Sequence, residues 1–81
     1  MVAREKFQVG QHVRMTRAAI DQGLDGPLKR RTGRVVGFSR DGTLVRINRY
    51  GEHSTTVHVY SPAFWEVPFM DADTQQSHID N

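Results

Sequence analysis

Apolar and polar positions alternate over residues 7–16, which places Phe7, Val9, Val13 and Met15 on one face of a strand. In the stretch that follows, Thr16 caps a single helical turn and Gly23 ends it. Asp25-Gly26-Pro27 is turn chemistry, and Lys29-Arg30-Arg31 closes this long connection. Three further strands are predicted at 32–39, 43–49 and 54–60. Pro62 opens a short turn, and a last short strand covers 65–67, with Trp65 in the core and Phe64 plugging one end of the fold.

Turn lengths and hydrophobic parity fix a register for the middle three strands. Asp41-Gly42 predicts a two-residue hairpin that pairs Arg40 with Thr43, Phe38 with Val45, and Val36 with Ile47. A three-residue link, Gly51-Glu52-His53, then pairs Ile47 with Val57 and Val45 with Val59. All these apolar residues share one face, and a one-residue slip would turn them outward. The same register sets Arg34 against Arg49 on the inner face, at strand ends from which their stems reach water. The outer face then carries Val35, Gly37, Leu44, Arg46, Asn48, Tyr50, Thr56, His58 and Tyr60, with Arg46 opposite His58 and Asn48 opposite Thr56.

The chain has 81 residues, enough for one small domain with a thin core and little room for a deep catalytic pocket. Residues 1–6 are expected to fray, 7–69 to form the domain, and 70–81 to be a disordered acidic tail. Without cysteine there is no disulfide, thiolate nucleophile or Cys-based zinc site. No apolar run is long enough to span a membrane, and the first residues lack a signal-peptide apolar stretch, so a cytoplasmic protein is the expectation.

Net charge is only +2, but residues 1–50 carry all 11 Lys and Arg and a net +7, whereas residues 51–81 carry −5. Nine of the cations are Arg, whose planar fork suits phosphate. The asymmetry fits either a basic face for a polyanion or a solvated surface with an acidic tail. Lys29, Arg30 and Arg31 repel one another unless an anion lies near. With Arg34, Arg46, Asn48, Tyr50, His58 and Tyr60 they form the candidate nucleic-acid-binding set, in which rings stack on bases and cations hold phosphates.

No metal site, cofactor or catalytic residue is expected. His53 and His58 are an odd number of residues apart, so on a continuous strand they face opposite sides. The serines have no nucleophile-elbow context, and no Gly-rich loop leads into a helix.

Five short strands, a long first loop with a helical turn, and a helical turn before the last strand describe an all-β, five-stranded antiparallel barrel of SH3-like type. Val9-Gly10-Gln11-His12-Val13-Arg14-Met15 and Thr32-Gly33-Arg34-Val35-Val36-Gly37-Phe38 resemble the Gly-Val pattern of KOW-type SH3-like domains, found in ribosomal proteins and transcription elongation factors. That resemblance covers roughly residues 7–50 and implies contact with RNA or RNA polymerase. The span 7–67, with its ending Phe64-Trp65-Glu66, also resembles small uncharacterised proteins encoded by bacteriophages and prophages, which implies a fold and a host-cytoplasmic setting.

The expected function is therefore non-enzymatic binding of nucleic acid, RNA rather than DNA, within a ribonucleoprotein or transcription complex. The alternative is a phage-type accessory interaction module, which would dock an acidic or Pro-rich protein through the Arg face or through a groove of Phe38, Tyr50, Tyr60 and Phe64.

Overall fold

A computed structural model describes residues 2–68. The elements in chain order are α1 (Ala3–Lys6), β1 (His12–Met15), α2 (Arg17–Asp21), β2 (Thr32–Phe38), β3 (Val45–Arg49), β4 (His58–Tyr60), a 3₁₀ turn (Pro62–Phe64) and β5 (Trp65–Glu66). The five strands form one antiparallel sheet in the order β4-β3-β2-β1-β5, which is not closed by a β4–β5 ladder. The fold is thus all-β with short helices. The expected tail, 70–81, lies outside the described residues.

The core comprises Ala3, Phe7, Val13, Met15, Ala19, Val35, Val45, Ile47 and Trp65, with Ile20, Leu24, Phe38, Tyr60 and Phe64 packed against it. Ala3 belongs to α1, so 3–6 is docked where fraying was expected. The Arg4 amide donates to the Gly42 carbonyl at 3.0 Å, and Lys6 Nζ donates to the Pro62 carbonyl at 2.8 Å. Composition could not show this, because one small buried residue and two hydrogen bonds hold the segment.

The first strand is shorter than its alternation suggested. A turn with Gly10 at φ +91° interrupts it, and Val9 is 64% exposed while Phe7, Val13 and Met15 are buried. Thr16 caps α2 as expected, its hydroxyl accepting from the Ala19 amide at 3.3 Å, and Gly23 follows in the left-handed region at φ +77°.

The β2–β3 register begins as expected, Phe38 facing Val45, and then shifts. A β-bulge between Val35 and Gly37 puts Val35, not Val36, opposite Ile47. Val35 is therefore buried and Val36 is 40% exposed. The bulge also rotates Arg34 outward, opposite Asn48, and sets Arg49 opposite Gly33, so the expected Arg34–Arg49 pair does not form. The hairpin link is longer than two residues. The Ser39 amide donates to the Leu44 carbonyl at 3.0 Å, with Gly42 at φ +78° inside the turn. This keeps the parity of Phe38 and Val45, so the expected register holds at that end.

The β3–β4 register differs by one residue. Ile47 faces His58, Arg46 faces Val59 and Val45 faces Tyr60. The connection is longer than three residues, because Asn48 Nδ2 donates to the carbonyls of His53 at 2.9 Å and Thr56 at 2.7 Å and holds that stretch out of the ladder. Tyr60 thereby turns inward, its ring edge-on to Trp65 at a centroid distance of 5.2 Å, and Val59 turns outward. Trp65 is fully buried as expected, but β5 ends at Glu66 and Val67 is exposed.

Candidate nucleic-acid interface

The outer face of β1, β2 and β3 gathers part of the expected site. His12, Arg34 and Asn48 lie in one row across the three strands. Tyr50 follows β3, its amide donating to the Thr32 carbonyl at 3.0 Å, and its ring meets His12 at a centroid distance of 5.7 Å. The His12 ring nitrogen and the Tyr50 hydroxyl are hydrogen-bonded. Arg14 lies opposite Thr32 and is paired with Glu66 at 3.1 Å. Arg34 and Arg46 are exposed and have no carboxylate partner among the described residues.

His12 escaped the candidate set although its signal was present. It alternates with Val13, so it had to face outward. What the sequence did not reveal was how β1 and β3 flank β2 so that His12 and Tyr50 meet.

His58 and Tyr60 do not join this face. The slipped β4 register turns both inward, and Arg46 faces Val59 rather than His58. His58 Nε2 instead lies 3.0 Å from Glu52 Oε2, and Tyr60 packs on the core, where burial pushes its hydroxyl pKa up. Phe38 and Phe64, like Tyr60, pack against the core, whereas Tyr50 meets His12, so the four rings do not form one groove.

The basic loop finds its anions within the chain. Arg31 Nε donates to Asp25 Oδ2 at 2.8 Å, and Asp25 is buried. That hydrogen bond holds the Asp25 carboxyl below its usual range. Arg30 approaches Glu52 Oε2 at 3.9 Å. Arg49 grips the same carboxylate with Nε at 3.2 Å and Nη2 at 3.1 Å, and its Nη1 donates to the Leu24 carbonyl at 3.2 Å. The Glu52 side chain is only 8% exposed, and its hydrogen bonds to Arg49 hold its carboxyl down to about 2 against the opposing effect of burial. These contacts tie the long loop to the β3–β4 connection. Of the three adjacent cations, Arg30 and Arg31 are ion-paired; Lys29 is exposed, with a left-handed backbone at φ +55°.

The arrangement offers exposed rings for stacking beside guanidinium groups that have no carboxylate partner among the described residues. Comparison with protein-family models, curated proteins and solved structures found no match.

Proposed function

We propose that this chain is a non-enzymatic, SH3-like barrel module that binds single-stranded RNA on the outer face of β1, β2 and β3, within a ribonucleoprotein or transcription complex in the cytoplasm. One observation carries the reading. The exposed His12–Tyr50 ring pair stands beside Arg34, a guanidinium without a carboxylate partner among the described residues. Rings on a sheet face stack bases in a sequence-tolerant way, and an adjacent Arg holds the backbone phosphate. The described residues carry all 11 Lys and Arg against six carboxylates, a net +5 that favours approach of a polyanion. The strand order β4-β3-β2-β1-β5 suits the barrel reading, and the Gly-Val pattern around β1 and β2 resembles that of RNA-contacting KOW-type domains.

The test is titration of single-stranded RNA and DNA oligonucleotides across a salt series. Two or three phosphate contacts give a slope of log K against log salt of about −1.4 to −2. Tyr50→Ala should cost about 1–3 kcal/mol of binding with the slope unchanged, because stacking releases no counterions. Affinity weaker than about 10⁻⁴ M for both polymers near physiological salt removes the proposal.

A further inference from the structure

We infer a second binding surface at the β4 edge, which takes an extended, acid-rich apolar peptide as an added strand. β4 is the last strand of the sheet, so the side of His58–Tyr60 away from β3 has no ladder partner among the described residues. Unpaired strand edges template pairing with another chain, and proteins blunt them with lysine, proline or inward charges. Here the edge has at its centre a valine, Val59, that is 53% exposed.

Two further exposed apolar residues flank Arg46, the residue opposite Val59. Val36 is turned out by the bulge opposite Arg46, and Leu44, exposed, precedes β3 by one residue. Both irregularities of the sheet, the bulge and the slipped β4 register, thus expose a valine in this one region. Arg46 sits between them, directly across from Val59, with its stem over Gly37 and no carboxylate partner among the described residues. A strand laid along β4 runs two strand spacings, about 9–10 Å, from β3, a gap that an arginine and a glutamate side chain can span between them.

Charge decides the occupant. A second copy would bring another Arg46 and another net-positive sheet to the same edge, whereas an acid-rich strand satisfies Arg46 and lays apolar side chains on Val59. The site shares Arg46 with the face proposed for RNA, but Val59 lies on β4, outside that face, so Val59→Lys tests it apart from RNA binding.

The test is fluorescence anisotropy of a labelled peptide of repeating Val-Thr-Glu-Thr, whose valines and glutamates share one strand face as Val59 and Arg46 do, against the full chain. Saturable binding below about 1 mM is expected, at least about tenfold tighter than for the matching valine–lysine peptide and for a valine–glutamate peptide interrupted by proline. Val59→Lys and Arg46→Glu, both at exposed positions, should each weaken binding by about tenfold or more, while Arg34→Ala leaves it unchanged. Equal affinity for the lysine peptide, or indifference to Val59→Lys, overturns the proposal. Self-association of the unliganded chain that Val59→Lys abolishes would make a second copy the occupant. Peptide affinity that rises about tenfold on deletion of 70–81 would give the edge to the chain's own acidic residues.

Discussion

Ile47 faces Val35 across the β2–β3 ladder, and the bulge leaves Val36 without a partner in that ladder. Val35→Ala should therefore cost about 2 kcal/mol, because it opens a cavity against a fully buried Ile47. Val36→Ala should stay within about 0.5 kcal/mol. Urea denaturation of the two variants decides the matter, and the reverse order would place the bulge elsewhere.

Gly33 faces inward opposite Val13 and Arg49 with no room for a side chain. A Cβ there would lie 2.7 Å from the Asn48 carbonyl oxygen and 3.0 Å from the Arg49 Cα. Backbone cannot yield as a side chain can, so Gly33→Ala should destabilise by about 2 kcal/mol or more. Gly37→Ala meets only Arg46 Cδ at 3.8 Å and should change stability by less than about 1 kcal/mol. Thermal melts of both variants provide the comparison.

The Glu52 carboxyl is held at about 2, against an ordinary value of 4.5, and Asp41 is held at about 2 by the Thr43 amide and hydroxyl and by Ser39. Both are lower in the folded chain than in the unfolded one. Their stabilisation is complete above about pH 4.5 and drains away as the pH falls towards about 2. Glu52→Gln should cost about 2 kcal/mol at neutral pH, through lost hydrogen bonds to Arg49, and should flatten the acid limb of the stability profile. Parallel acid limbs for wild type and variant would show that Glu52 does not set it.

Arg31 and Arg34 are three residues apart and should respond to opposite assays. Arg31 anchors buried Asp25, so Arg31→Ala should lower the melting midpoint. It should leave the salt dependence of RNA binding unchanged. Arg34→Ala should do the reverse, flattening the slope of log K against log salt by about 0.7 without moving the midpoint. A flattened slope for Arg31→Ala would show that the Asp25 pair opens when RNA binds.

Much of the sheet was legible from pattern alone. Phe38 opposite Val45, the Thr16 cap, and Trp65 in the core all follow from local chemistry that tertiary packing reinforces. Parity failed wherever the chain departed from even spacing. The bulge at Val36 and the Asn48-held connection each shift the register by one residue; Gly37, inside the strand run, is a local sign of the first that parity does not use, and the second has none. The candidate site was misjudged in the same places, since His58 and Tyr60 were assigned by parity. The repulsion within Lys29-Arg30-Arg31 pointed to an anion nearby and was assigned to nucleic acid. That Asp25 and Glu52 supply carboxylates there is a long-range fact that charge counting could not reach.

The long loop closes on itself. Arg30 donates its amide to the Asp25 carbonyl at 3.1 Å, while Arg31 holds the Asp25 side chain. The three residues that trypsin should attack first, Lys29, Arg30 and Arg31, therefore sit in a fastened ring rather than an extended strand. A protease must straighten the chain on both sides of the bond it cuts, so here it has to wait for the ring to open. The most basic stretch of the molecule, which as a peptide would be digested at once, is thereby shielded by two of the chain's own carboxylates. Nicking there would serve as a clock for the opening of the Asp25 and Glu52 clasps.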